Sequence, residues 1–255
     1  MAIIVFIFGL IVGSFLNCVI YRLEQGSGFI KGRSFCPHCK HKLGFLDLIP
    51  VFSFIWLKGR CRYCKGKISI QYPLVEISTG LLFVLNFLRS DPAQTFAGSD
   101  LLISGFATIP FLVIIFVYDL KHYIIPDKMV YPAIGIALIY DFLRSDLPRR
   151  SDLFASAFGA AAFFTAIVLL SRGKWMGAGD IKLAFLMGLM LGYPNILVAL
   201  FLAFFIGAIM GAGLIILGKK TMKSEVPFGP FLVLGTFIAL FWGKIIINWY
   251  ISLYA

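Results

Sequence analysis

The chain has 255 residues, of which 60% are hydrophobic and only 14% are charged, and its mean hydropathy is +0.93. Soluble domains carry about a quarter charged residues, so this composition excludes a soluble globular protein. The net charge of +11 is distributed over several short loops, which argues against a nucleic-acid-binding surface.

Long apolar runs indicate membrane-spanning helices, because a helix needs about 20 apolar residues to cross a bilayer. Five of the runs have no charged residue, and two weaker runs contain one acid each, Glu76 and Asp141. The run 183–218 would extend about 54 Å as one helix, and Gly192-Tyr193-Pro194-Asn195 offers a turn inside it. We therefore predict an all-α, polytopic membrane protein with about eight transmembrane helices, from the runs 1–21, 72–88, 101–118, 129–143, 153–171, 183–218 and 226–243.

The orientation follows from the positions of the basic residues. No basic residue precedes the first run, which is also longer than the apolar stretch of a signal peptide, so we expect a retained helix with its amino terminus outside. Lys and Arg prefer cytoplasmic loops, and with eight spans the inner segments contain 18 of the 23 basic residues. Attraction to anionic lipids is a secondary consequence. These inner segments are 22–71, 119–128, 172–182 and 219–225. The outer ones contain Arg89, Arg144, Arg149 and Arg150, and Lys244 falls within the last span.

The first inner segment, 22–71, contains four cysteines in two CxxC knuckles separated by 21 residues. This spacing is typical of a structural zinc ribbon, since two such turns present four thiolates for a tetrahedral S4 site. The sequence therefore predicts a small zinc-binding insertion between the first and second helices. The predicted Zn²⁺ ligands are Cys36, Cys39, Cys61 and Cys64.

Other uses of these cysteines remain open. Two disulfides are the competing interpretation, although a cytoplasmic loop lies in a reducing compartment. A redox CxxC pair would require a thioredoxin-like unit, for which nothing nearby gives a signal. His38 and His41 could replace a ligand, and Cys18, in the first span, is most simply a packing residue.

Acids at or near the membrane are functional candidates, because ionisable groups are costly to bury there. Asp119 follows a long uncharged run, and Asp180 ends the sequence Gly177-Ala178-Gly179-Asp180. Both are expected at the cytoplasmic side, from different helices. Two adjacent carboxylates cannot both ionise easily, so such a pair could activate water and polarise a scissile carbonyl. The glycines would let an extended substrate approach.

Structural roles for these acids are the alternative. Asp180 is placed to cap the amino terminus of the following helix, and Asp119 could mark a helix end. Asp127 follows Pro126 in what reads as a loop, and His122 is an interfacial histidine that could also influence the charge of the pair.

Several motifs together resemble the type IV prepilin peptidases, which are bacterial membrane aspartyl proteases. The resemblance covers almost the whole chain. It rests on Gly13–Arg22, on Cys36–Cys64 with Asp47-Leu48-Ile49-Pro50 between the knuckles, on Gln71–Glu76, on Asp119–Asp127, on Gly177–Lys182 and on Pro227–Leu232.

The resemblance implies a specific chemistry. Members of the family cleave the leader from prepilins and pseudopilins at the cytoplasmic face of the inner membrane, and Asp119 and Asp180 match their catalytic aspartates. The four-cysteine segment accompanies members that also N-methylate the new terminus with S-adenosylmethionine. No glycine-rich nucleotide-binding loop is present, so no residues are assigned to the methyl donor.

The resemblance also divides the chain into a first helix (1–21), a zinc-binding segment associated with methyl transfer (22–71) and a peptidase segment (72–255). Two other functions are weighed against it. An ion- or proton-coupled transporter would have its acids near the bilayer midplane, and a non-enzymatic secretion scaffold would use its zinc loop to dock a partner. We expect prepilins, pseudopilins and membrane lipids as partners, and no nucleic acid.

Overall fold

The computed structural model describes residues 1–26, 34–89, 97–143, 147–218 and 226–253. Over these ranges the chain is helical, and the only β-structure consists of two isolated β-bridges. A 3-10 turn covers Phe45–Asp47. The α-helices are α1 (Ala2–Glu24), α2 (Phe52–Trp56), α3 (Gln71–Arg89), α4 (Ala97–His122), α5 (Asp127–Leu143), α6 (Leu147–Ser171), α7 (Ala178–Leu191), α8 (Asn195–Ile216) and α9 (Gly229–Ser252).

Every predicted span coincides with a helix, and the all-α membrane fold is confirmed. Six helices, α1, α3, α4, α6, α8 and α9, have segments long and apolar enough to cross a membrane. The remaining two predicted spans lie in α5 and α7, which have 17 and 14 residues, or about 25 and 21 Å. Both helices are shorter than the roughly 30 Å hydrocarbon core. The run 183–218 is divided as predicted, because α7 ends before Gly192, whose φ is +64°, and α8 begins at Asn195.

Some predicted boundaries moved. The last helix begins at Gly229, two residues after Pro227, and ends at Ser252, beyond the predicted end at residue 243. Lys244 lies within it, as the charge count places it. The predicted inner segment 219–225 and the outer residue Arg144 lie outside the described residues.

The chain forms two compact units, residues 1–114 and 115–255, which divide within α4. In the first unit α1 packs antiparallel to α3 through glycines. A Cβ at Gly9 would lie 2.7 Å from the Cα of Gly80, and a Cβ at Gly13 would lie 2.7 Å from the Cα of Glu76. Small residues at this spacing let membrane helices approach at backbone distance. The Nδ2 of Asn17 then donates to the carbonyl of Tyr72 at 3.0 Å.

Between α1 and α3 the chain forms the predicted insertion, whose described part, residues 34–70, we call the four-cysteine module. It contains the 3-10 turn, the short helix α2 and the two knuckles. Its polar backbone groups are paired across each knuckle, and these pairs appear as the bridges Phe35–Lys42 and Arg60–Lys67.

The second unit is built around the short helix α7. Its Leu183, Ala184, Leu186 and Met187 are fully buried, as expected for a helix enclosed by others. A side chain at Gly188 would collide with the backbone of Ala157 in α6, so α6 and α7 are in close contact. The predicted functional division at residues 21 and 71 stays a prediction.

Candidate active site and metal centre

Asp119 lies in the last turn of α4, where the helix is brought to an end. Tyr123 has a φ of +58° and its N–H donates to the carbonyl of Asp119 at 2.9 Å, and Pro126 follows soon after. A residue in the left-handed region commonly terminates a helix. The Asp119 side chain is only 3% exposed, so its carboxylate is removed from bulk water.

Asp180 lies in the first turn of α7 and is 7% exposed. The alternative prediction that it caps this helix as the N-cap residue is wrong, because α7 begins earlier, at Ala178, with Gly177 as its N-cap. Asp180 is the third helical residue, and its Oδ2 accepts a hydrogen bond from the N–H of Gly177 at 3.1 Å. This bond orients the carboxylate and satisfies one of the free N–H groups at the start of the helix.

The two aspartates, separated by 61 positions in the chain, are brought together. Their carboxylates are close enough to interact electrostatically, and we call them the aspartate pair. A third element completes the arrangement, since the backbone N–H of Gly229 at the start of α9 hydrogen-bonds the Asp119 carboxylate. A Cβ at Gly229 would lie 2.5 Å from Oδ2 of Asp119, so only glycine permits this approach.

Ile125 packs beside Gly229, which approaches Asp119, and beside Gly179, which directly precedes Asp180. Ile125 is 8% exposed. A Cβ at Gly179 would lie 3.0 Å from the Ile125 Cβ, and a Cβ at Gly229 would lie 3.2 Å from its Cδ1. The sequence predicts that Gly179 leaves space for a substrate, but this space is filled by Ile125. At Gly177 the nearest atoms to a Cβ are 3.9 and 4.0 Å away, so that position does have free space.

The other candidates, Asp127 and His122, contact residues outside the pair. Asp127 is the first residue of α5, not a loop residue. Its Oδ1 accepts a hydrogen bond from Lys182 Nζ at 2.7 Å, and its side chain is 55% exposed. The same ammonium lies 5.1 Å from the ring centroid of Tyr131. The ring of His122 packs on Tyr118, with centroids 4.5 Å apart.

The four cysteines of the module form a compact cluster. All four Sγ atoms lie within 4.8 Å of one another, and the cysteines are free thiols rather than disulfides. Sulfurs bound tetrahedrally at the Zn–S distance of 2.3 Å would be about 3.8 Å apart, and the Sγ atoms of Cys36 and Cys64 are 3.9 Å apart. The cluster therefore has the dimensions of a site for a metal ion.

The two knuckles have the same backbone geometry. In the first, the N–H of Cys36 donates to the carbonyl of His41 and Lys40 donates back to Cys36, each at 2.9 Å. In the second, Cys61 donates to Gly66 at 2.9 Å and Lys65 donates to Cys61 at 3.0 Å. Both lysines lie in the left-handed region, with φ of 58° and 59°. This repeated turn presents each pair of thiols from one side.

Two histidines of the first knuckle contact residues of the second. His38 Nε2 lies 3.1 Å from the carbonyl oxygen of Lys67, and a Cβ at Gly66 would lie 3.0 Å from the His38 ring. The His41 ring packs on Tyr63, with centroids 3.7 Å apart. Each histidine of the first knuckle thus packs against the second.

The thiols differ in acidity. Burial opposes ionisation of Cys36, but the N–H groups of Cys39 and His38 and the adjacent thiols lower its pKa to about 7. At Cys64 the N–H of Gly66 favours the thiolate, but desolvation and the surrounding thiols raise the pKa to about 11. Successive thiolates in one cluster repel each other, and a divalent cation among them would remove that penalty. The donor set therefore suits a thiophilic cation such as Zn²⁺.

Two acids that sequence reasoning could not place support the module. Asp47 accepts hydrogen bonds from the Gly44 N–H at 3.0 Å, from Arg62 Nε at 2.7 Å and from the Tyr63 hydroxyl at 3.2 Å. These donors outweigh desolvation and lower the pKa of Asp47. Glu76, inside α3, accepts the N–H of Val51 at 2.7 Å, which attaches the module to the helix.

The fold and site thus define a multi-pass membrane protein with a pair of buried aspartates and a four-cysteine site for a metal ion. Residues 7–90 match the model of the bacterial peptidase A24 N-terminal domain, and residues 106–212 match that of the type IV leader peptidase family. The chain belongs to the type IV leader peptidase family.

Curated relatives match over nearly the full length. The prepilin leader peptidase/N-methyltransferases of Aeromonas salmonicida (strain A449) and Bacillus subtilis (strain 168) are each 33% identical. The alignments cover 98% of this chain in both cases, and 93% and 98% of the relatives. The prepilin leader peptidase/N-methyltransferase of Legionella pneumophila is also 33% identical, and its alignment covers 99% of this chain and 95% of the relative. No solved structure matches the chain.

Proposed function

We propose that this protein is a membrane aspartyl endopeptidase that removes the leader peptide from prepilins and pseudopilins, and that it also N-methylates the new terminus. The observation that carries the peptidase is the aspartate pair: Asp119 and Asp180 come from different helices, are buried, and interact electrostatically. The names of its relatives support both activities.

The pair supplies the chemistry of peptide hydrolysis. Two buried carboxylates that interact electrostatically favour a state with one proton between them, because the doubly charged state is unfavourable. The ionised member takes a proton from water, and the water oxygen adds to the scissile carbonyl. The protonated member hydrogen-bonds the carbonyl oxygen and then supplies the proton for the leaving amine. The C–N bond breaks, leaving a carboxyl group on the leader and a free amine on the pilin.

Backbone donors hold both carboxylates in position for these steps. Gly177 donates to Asp180, and Gly229 donates to Asp119. Because these donors belong to rigid helix ends, the aspartates need little reorganisation during the reaction. Ile125, packed against the positions of Gly179 and Gly229, places an apolar side chain next to the pair.

The proposed orientation places the aspartate pair and the four-cysteine module at the cytoplasmic side of the inner membrane, with the amino terminus outside. The excess of Lys and Arg in the corresponding segments supports it. A prepilin is held by its apolar helix while its basic leader remains in the cytoplasm, so its cleavage site would lie at the interface.

The four-cysteine module is proposed to hold structural Zn²⁺ through Cys36, Cys39, Cys61 and Cys64. Its Sγ separations support the assignment. S-adenosylmethionine is the proposed methyl donor, and it supplies an electrophilic methyl group for the new amine. The disulfide alternative predicts two disulfides and no bound metal, which metal analysis of the purified chain distinguishes.

Substitution of either aspartate tests the peptidase. Asp119→Asn or Asp180→Asn should lower the rate of leader cleavage by about 100- to 10,000-fold, because the amide can neither accept nor donate the catalytic proton. The measurement is cleavage of a tagged prepilin by the full chain in vesicles. Asp152→Asn is the matched control, since Asp152 accepts the Tyr193 N–H at 3.1 Å, beyond the other end of α7. Normal cleavage by both pair variants would overturn the mechanism.

Methyl transfer is tested separately with labelled S-adenosylmethionine and mass analysis of the new amino terminus. With an intact prepilin, the Asp119→Asn variant should give neither cleavage nor label. With a pilin already lacking its leader, the same variant should incorporate label at the unaltered chain's rate. Absence of label in the unaltered chain would refute the methyltransferase while leaving the peptidase intact.

A further inference from the structure

The four-cysteine module carries a contiguous apolar surface formed by the 3-10 turn and α2. Its side chains are between 58% and 83% exposed. The rings of Phe52 and Trp56 stack one helical turn apart, with centroids separated by 5.9 Å. The 3-10 turn and α2 are neighbours in the fold, so we treat their exposed apolar side chains as one surface. We call it the aromatic face, and it consists of Phe45, Leu46, Phe52, Ile55 and Trp56.

Such a patch requires a covering partner, because contiguous apolar surface of this kind marks an interaction site. The backbone of α2 is constrained at both ends, with φ of 60° at Val51, 52° at Lys58 and 67° at Gly59. Within this turn Phe54 packs against Gly59, whereas the side chains of Phe52, Ile55 and Trp56 remain exposed.

The charge around the aromatic face limits the choice of partner. Residues 34–70 contain seven Lys and Arg residues and one acid, and that acid, Asp47, is already paired with Arg62. A zinc tetrathiolate would carry two negative charges and would still leave the module positive. Lys58 and Arg60 follow α2 directly and are exposed. A basic leader peptide would be repelled, whereas an anionic surface would be attracted.

The module is attached to the ends of two membrane helices. The N–H of Val51, at the start of α2, donates to Oε2 of Glu76 at 2.7 Å. Glu76 is five residues into α3, or about 7.5 Å along its axis. The ring of Phe35 packs on Tyr21 near the end of α1, with centroids 5.7 Å apart. These contacts join the module to the last turn of α1 and the second turn of α3, which lie at the same end of this helix pair.

We propose that the aromatic face docks onto the bilayer beside α1 and α3, in the interfacial layer of an anionic leaflet. Trp side chains are enriched in this layer, and interfacial helices bury Trp, Phe and Leu side chains in it. The adjacent lysines and arginines contact anionic phospholipid headgroups. The inference depends on α1 and α3 crossing the membrane and not on the proposed peptidase activity.

Fluorescence of Trp56 in the full chain tests the proposal. Trp175→Phe, Trp242→Phe and Trp249→Phe leave Trp56 as the only tryptophan. The protein is reconstituted in phosphatidylcholine vesicles with or without phosphatidylglycerol, each containing nitroxide-labelled lipid. In the anionic vesicles more than half of the Trp56 emission should be lost to the nitroxide, with little quenching by aqueous acrylamide. Lys58→Glu with Arg60→Glu should restore most of the emission.

A chain retaining Trp249 instead of Trp56 is the matched control, because Trp249 lies in α9. Its quenching should be the same in both vesicles and should not change with the charge reversals. Equal metal content in all variants would show that the module is folded. If acrylamide quenches the Trp56 emission and the nitroxide-labelled lipid does not, the proposal is overturned. If Trp56 is protected from acrylamide only after a prepilin is added, the result would overturn the proposal and favour docking of the substrate on this face.

Discussion

The four-cysteine module and the aspartate pair reach their geometry by different routes. The module takes its ligands from two short turns of identical backbone form, each closed by local hydrogen bonds. The pair takes its carboxylates from α4 and α7 and depends on a glycine in α9. A site assembled from local turns should be disrupted chiefly through its ligands, whereas a site assembled from distant helices should be sensitive to small changes in packing.

The largest effect should come from a ligand of the module. Cys36→Ser should reduce bound zinc from about one ion per chain to almost none, because structural zinc sites require the complete ligand set. Metal analysis of the purified chain is the measurement, with Cys18→Ser, within α1, as the control. Leader cleavage should fall far less than in the aspartate variants. Full zinc occupancy without Cys36 would contradict the S4 site.

A single methyl group should disable the aspartate pair. Gly229→Ala would place a Cβ 2.5 Å from Asp119 Oδ2, and overpacking of this kind costs about 1–3 kcal/mol. We expect leader cleavage to fall by about 10- to 100-fold, with zinc content unchanged. Gly135→Ala is the matched control, because a Cβ there has no neighbour within 4 Å. Equal activity of the two variants would show that the approach of Gly229 to Asp119 is unimportant.

A supporting residue of the module should have a smaller effect. Asp47→Ala removes an acceptor shared by Gly44, Arg62 and Tyr63. Since the Arg62 side chain is 42% exposed, solvent screens the ion pair, and we expect the module to lose about 1 kcal/mol. Zinc should remain bound but should transfer faster to a chelator. Asp47→Asn, which retains one acceptor oxygen, should give an intermediate rate.

The smallest effect should come from the exposed pair of Lys182 and Asp127. Surface ion pairs contribute about 0.2–1 kcal/mol. Lys182→Met should therefore lower the free energy of unfolding by no more than about 1 kcal/mol, and the rate of leader cleavage should fall by no more than a few fold. A double-mutant cycle with Asp127→Asn measures the coupling. A loss comparable to that of Asp180→Asn would mean that the ion pair is part of the active site rather than its surroundings.

Much of the fold could be predicted because membrane helices have a strong compositional signal. All eight predicted spans lie in helices, and the turn at Gly192 divides the run 183–218 as expected. The start of α7 was misjudged because Ala178 and Gly179 carry no apolar signal, although Asp180 hydrogen-bonds back to Gly177 and closes the first turn. The packing of α1 on α3 was missed, although Gly9 and Gly13 have the spacing of a helix-packing motif.

The candidate site was predictable in its residue types but not in its support. Both aspartates stand out as acids beside apolar runs. Nothing in the spacing indicated that Gly229 approaches Asp119 or that Ile125 fills the space at Gly179, because both contacts join segments distant in the chain. The aromatic face was also missed, since its residues read as an ordinary stretch between the knuckles.

The sequence by itself determined the membrane class, the approximate helix positions, the four cysteines that cluster and the family, because hydropathy, CxxC spacing and short motifs are local properties. Only the tertiary structure brought Asp119 and Asp180 together and gave Gly229, Ile125 and Glu76 their roles. The physical reason is that burial and close approach depend on which helices pack together. The sequence constrains that choice only through the combined shape of many side chains.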